Sequence, residues 1–131
     1  LLITASAAGL LTNLGDAPYT ATKHAAVGLA EWIAITHGDE GVTVSCLCPQ
    51  GVRTPMVMSG LEGDQMAAQV VALMGLIEPD AVAASVVEGL REDRFLILPH
   101  PEVARYQQNK AGDPDRWLAG MRKLQRQLPG H

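Results

Sequence analysis

Apolar residues fall into three short continuous runs separated by longer stretches of helical spacing. Leu1–Ala5, Val42–Cys48 and Arg94–Leu98 are too apolar to keep one face in water, and each reads as a buried strand. Between the first two, Val27, Ala30, Ile33 and Ala34 recur at helical intervals, with Trp32 on a different side. This predicts a helix over about 17–37, opened by Asp16 as a cap, with Pro18 in its first turn, and closed by the Gly38–Gly41 turn. Strand, long helix, strand is the pattern of a parallel, right-handed crossover. A short helix near Asp64–Met74 follows. Another runs from Glu78 to about Glu92, with Val82, Val86, Val87 and Leu90 as its apolar side. Two more helical segments occupy about 101–128, each with a proline near its start. The expected fold class is α/β: three parallel strands with flanking helices.

Composition narrows the possibilities. A net charge of −4 over 131 residues argues against nucleic acid, which rewards a clustered basic face. No apolar run reaches the ~18 residues of a membrane span, and no signal peptide is visible, so a cytoplasmic location is the default expectation. The two cysteines, Cys46 and Cys48, alternate along one strand and share a face. With no second pair to complete a metal site, they read as small buried hydrophobes.

The candidate chemistry lies early in the chain. Ser6, Tyr19 and Lys23 stand at Ser-x12-Tyr-x3-Lys spacing. On a helix, residues four apart project from the same face, so Lys23 comes to lie beside Tyr19. A cation about 4–6 Å from a phenol favours the phenolate, and Ser6 at a strand end can donate a hydrogen bond to a substrate oxygen. That combination suits proton transfer to or from a carbonyl or alcohol oxygen. The chain carries its own control, because Tyr106 and Lys110 have the same spacing. Tyr106 lacks an upstream serine and the surrounding small residues, and it reads as part of a solvated helix. Ser6 is not set in a Gly-x-Ser-x-Gly elbow, which argues against a hydrolase.

These residues, together with the loop Pro49-Gln-Gly-Val-Arg-Thr-Pro-Met56, resemble the classical short-chain dehydrogenase/reductase family along most of the chain. The resemblance implies a Rossmann-like, doubly wound parallel sheet. It makes Tyr19 the catalytic acid/base, Lys23 a second tuning and ribose-holding group, and Ser6 the residue that positions the substrate oxygen. Pro49, Val52 and Thr54 would meet the nicotinamide of NAD or NADP, Val52 through backbone groups. The family loop usually reads Pro-Gly-x-Val-x-Thr; here Gln50 replaces the first glycine and Gly51 follows. A homodimer or homotetramer is implied in the same way.

No Gly-x-Gly-x-x-Gly loop occurs anywhere in the chain, and it opens at Leu1 in an apolar strand. The expectation is therefore the C-terminal half of such a domain, residues 1–131, with the N-terminal half upstream. It holds the catalytic helix (about 17–37), a substrate-loop region (about 50–75) and a helical tail (about 101–128). Cut there, the Leu1 strand would present an unpaired apolar edge, so the chain alone is expected to be marginal or aggregation-prone.

The substrate would be a small alcohol or carbonyl compound. Met56, Met58, Met66 and Met74 would suit a pliable apolar wall, although ordinary packing is the preferred reading of methionines. Arg53 could steer an anionic substrate or be an exposed loop residue. His100 could border the pocket or a subunit contact, but a surface turn histidine is the preferred reading. Trp117, Leu118, Met121, Leu124 and Leu128 would pack on their own domain or on a partner subunit. The competing reading is an inactive truncated fragment or interaction module lacking the phosphate-binding half. Epimerases and dehydratases of the extended branch share Tyr-x3-Lys, but the Pro49–Thr54 loop and short tail fit them less well.

Overall fold

The computed structural model describes residues 1–128. Its three strands, β1 (Leu2–Thr4), β2 (Ser45–Leu47) and β3 (Leu96–Ile97), form one parallel sheet in the order β1-β2-β3. Leu2 lies opposite Ser45 and Thr4 opposite Leu47, while Cys46 faces Leu96. The strands are shorter than the apolar runs. Main-chain bonds nevertheless continue past them, from Ala5 N–H to Leu47 O at 2.8 Å and from Cys48 N–H to Ile97 O at 3.0 Å. Parallel order, buried β2 and flanking helices match the α/β expectation.

The long helix α1 (Ala17–His37) starts where the sequence predicts, with the Asp16 side chain accepting from the third helical N–H. It buries Val27 and Ala30 and leaves Trp32 outside. Two short helices follow β2: α2 (Pro55–Glu62) and α3 (Met66–Leu73). The first was not anticipated from the hydrophobic pattern. Thr54 caps it and Pro55 occupies its first turn, the arrangement that commonly opens a helix. Helix α4 (Pro79–Arg91) packs on the sheet with its buried Gly89 against Ile97, and Val82 and Val86 are half-buried. Val87 and Leu90, expected on that face, are exposed instead. Helices α5 (Glu102–Gly112) and α6 (Pro114–Gln127) make a hairpin at the C-terminal end.

The main core gathers Ala5, Leu10, Val27, Ala30, Val44, Cys46, Cys48 and Val103, with Tyr106 and Trp117 packed against it. A smaller cluster joins Leu14, Val70 and Leu128, with Met66, Met121 and Leu124 at its margin. The tail therefore packs on its own chain through Trp117 and Leu128, although Leu118 is exposed. Both cysteines are fully buried, with their sulfurs 3.8 Å apart. The hydrogen bond to Cys46, reinforced by burial, pushes the Cys48 thiol far above its ordinary range. The pair fills space, as the sequence suggested. Among the described residues, no helix is long and apolar enough to cross a membrane.

Candidate active site

All three loops of interest leave the carboxyl ends of adjacent parallel strands, where open α/β sheets place their binding crevice. Ser6 follows β1, Pro49–Thr54 follows β2, and His100 follows β3. The first two loops are tied together by Ala7 N–H donating to Pro49 O at 2.8 Å.

Ser6 is 8% exposed and opens a 3₁₀ turn over Ala7–Gly9. Its Oγ accepts from the Ala8 N–H at 3.1 Å. That bond occupies a lone pair and leaves the hydroxyl proton free to be donated outward. The turn rests directly on α1. A Cβ at Gly9 would collide with the Lys23 carbonyl and lie 2.8 Å from Val27 Cγ2. Only glycine permits that approach, so Gly9 fixes the spacing between the serine loop and the tyrosine helix.

Tyr19 is the third residue of α1, and its own N–H is the group that Asp16 Oδ1 caps at 2.9 Å. The Lys23 ammonium lies 5.3 Å from the centroid of the Tyr19 ring, a cation–π separation. Thr20 binds Asn13 in both directions, accepting from its N–H at 3.0 Å and donating to its carbonyl at 3.3 Å. These bonds hold the loop that lies between Ser6 and Tyr19.

A cleft of about 180 Å³ opens between these parts. Ser6 and Tyr19 both line it, with Asn13, Asp16, Gln50 and Met56. Lys23, Pro49, Val52 and Thr54 stand outside its wall. Lys23 lies over the Tyr19 ring, and Thr54 Oγ1 takes the Val57 N–H at 3.5 Å as the cap of α2. Of Met56, Met58, Met66 and Met74, only Met56 borders the cleft; Met66 packs in the smaller cluster, and Met58 and Met74 are exposed. Gln50 places a carboxamide where the family pattern has glycine, and its Oε1 is buried without a partner.

Arg53 pairs with Glu78 at 2.8 Å, both well exposed. It behaves as a surface loop residue. The second Tyr-x3-Lys pair stands apart from the cleft and is structural, though not solvated as expected. Tyr106 packs against Trp117 with ring centroids 6.3 Å apart. Lys110 Nζ reaches across to donate to Leu10 O at 2.9 Å, which braces the serine loop from behind.

The largest correction concerns His100. It is 3% exposed, not a surface residue. Its Nδ1 accepts the Gln50 N–H at 3.0 Å, and its Nε2 faces the Gly51 carbonyl at 3.0 Å. Both partners are main-chain groups about fifty positions away, so no sequence signal announces them.

Comparison with known proteins agrees with this architecture. The family model of short chain dehydrogenases matches residues 1–65. A short-chain dehydrogenase of Aspergillus ruber, fogB, is 37% identical over 87 residues, covering 63% of this chain and 32% of its own length. The 1-deoxy-11-beta-hydroxypentalenate dehydrogenase of Streptomyces exfoliatus is 34% identical over 107 residues, covering 78% of this chain and 35% of its own. The chain thus spans about a third of the length of these curated relatives. Among solved structures, a short chain dehydrogenase from Mycobacterium paratuberculosis bound to NAD superposes with a TM-score of 0.57 at 26% identity. That match covers 74% of this chain and 42% of the other. A 4-hydroxyisoleucine dehydrogenase complexed with NADH gives 0.53 at 23% identity, covering 75% and 44% respectively, a likeness of fold. The family match over residues 1–65, the identity to these relatives and the shared fold agree, and the chain belongs to the short-chain dehydrogenase family.

Proposed function

We propose that this chain forms the catalytic portion of an NAD- or NADP-dependent oxidoreductase that interconverts an alcohol with a ketone or aldehyde. The observation that carries the reading is the shared cleft wall of Ser6 and Tyr19, with the Lys23 ammonium against the tyrosine ring. Tyr19 gives or takes the proton of the substrate oxygen. Lys23 stabilises the negative charge that develops on the phenol oxygen. Ser6 donates its free hydroxyl proton to the same substrate oxygen, oriented by the Ala8 amide.

The residues after β2 fit the nicotinamide end of the cofactor. Among the described residues, no intramolecular bond uses the Val52 N–H, while its neighbours Arg53 N–H and Thr54 N–H are both engaged. Val52 would hold the carboxamide, with Pro49 and Thr54 beside it and Lys23 on the ribose. When bound, the nicotinamide supplies or accepts the hydride. Both solved relatives described above carry NAD or NADH, which supports this choice. A phosphate-cradling glycine loop is not among these 131 residues, so turnover belongs to the longer protein. The isolated chain is proposed to be inactive.

The same reading implies a cytoplasmic homo-oligomer acting on a small alcohol or carbonyl substrate. Leu29, Trp32 and Ile35, all exposed along the outer side of α1, support a subunit contact there. In the full-length protein, Tyr19→Phe is expected to lower turnover by about 10²–10⁴-fold while leaving cofactor affinity nearly intact. Steady-state kinetics beside equilibrium NADH and NADPH binding provides the check. Unchanged turnover would remove Tyr19 from the chemistry.

A further inference from the structure

We propose that His100 is a positioning residue for the nicotinamide, acting through the peptide plane between Gly51 and Val52. The inference rests on the oxidoreductase reading and adds a residue to it.

The Nδ1 atom receives an amide proton from Gln50, so it must be unprotonated; Nε2 faces a carbonyl, so it must carry the proton. The two bonds together demand one neutral tautomer, Nε2–H. The Gly51 oxygen then accepts twice, from His100 Nε2–H at 3.0 Å and from Ile77 N–H at 3.1 Å. Both of its lone pairs are used, and the carbonyl direction is fixed.

A trans peptide is planar, with C=O and the following N–H pointing opposite ways, and no cis bond occurs among the described residues. Fixing the Gly51 C=O therefore fixes the Val52 N–H, the donor proposed above for the carboxamide. The plane has no room to relax on its other side. A Cβ on Gly51 would lie 2.8 Å from Val71 O and 2.9 Å from Gly75 O, so α3 and its following turn press the loop against His100. Burial of His100, which is 3% exposed, keeps water from competing for either bond.

Substitutions that retain one bond at a time test this. Gln places a donor near Nε2, and Asn places an acceptor near Nδ1. In the full-length protein, His100→Phe is expected to weaken NADH binding about tenfold. His100→Gln should recover most of that loss, and His100→Asn should recover little. Imidazole nitrogen NMR of the wild type should report the Nε2–H tautomer at neutral pH. A folded His100→Phe with unchanged NADH affinity would overturn the inference, as would equal affinity in the Gln and Asn variants or an Nδ1–H ring. Should Phe fail to fold, the Gln and Asn pair decides alone. A wild type that binds neither NADH nor NADPH would instead overturn the oxidoreductase reading, and this one with it.

Discussion

A methyl group added at Gly9 would strike the Lys23 carbonyl and come within 2.8 Å of Val27 Cγ2, where α1 has no slack. Overpacking of this kind costs about 1–3 kcal/mol, and the serine loop would bear the displacement. Gly9→Ala should thus lower unfolding free energy by about that amount in denaturant titrations, with turnover falling further than stability alone explains. Retained turnover in a destabilised Gly9→Ala would mean that Ser6 tolerates movement. At this scale the sequence is eloquent about Ser6, Tyr19 and Lys23, because their spacing reflects a strand end and a single helix face. It is silent about His100 and Lys110, whose partners are backbone carbonyls and amides brought near only by folding.

Helix α1 owes its starting point to one bond, Asp16 Oδ1 to the Tyr19 N–H. An N-cap of this type contributes about 1 kcal/mol. Asp16→Ala is expected to reduce stability by about that amount, with Asp16→Asn or Asp16→Ser restoring it. Chemical denaturation resolves the difference, and an Ala variant as stable as the wild type would show that α1 is held by packing alone. Caps and breakers made this helix legible from Asp16 to Gly38. Helix α2 was missed because Pro55–Glu62 shows little periodicity, although Thr54-Pro55 is itself a start signal. Helix α4 was read from its valines, but the sheet-facing side runs through Gly89, which periodicity cannot mark as a contact. The apolar runs gave the right strands and the right parallel class. The regular strands cover only part of each run, although main-chain bonds continue beyond them to Ala5 and Cys48.

At the scale of the whole sheet, β1 lies at one edge and, among the described residues, pairs only with β2. Leu1 is 62% and Leu2 38% exposed there. A flat apolar edge of this kind recruits other strands. The 131-residue chain is expected to self-associate with rising concentration, and Leu2→Lys should reduce that tendency. Sedimentation velocity across a dilution series measures it, and a concentration-independent monomer would contradict the expectation. The sheet also gives the molecule two unlike ends. The loops that carry Ser6 and Gln50 to the cleft issue from the strands' carboxyl ends, whereas the 3₁₀ turn over Gly38–Glu40 and the turn at Asp93 precede β2 and β3. Asp39, Glu40 and Gly41 are exposed, and nothing lies within 4 Å of a side chain added at Gly41. A molecule anchored to a sensor surface through Asp39 would stand with its reacting face toward the solution.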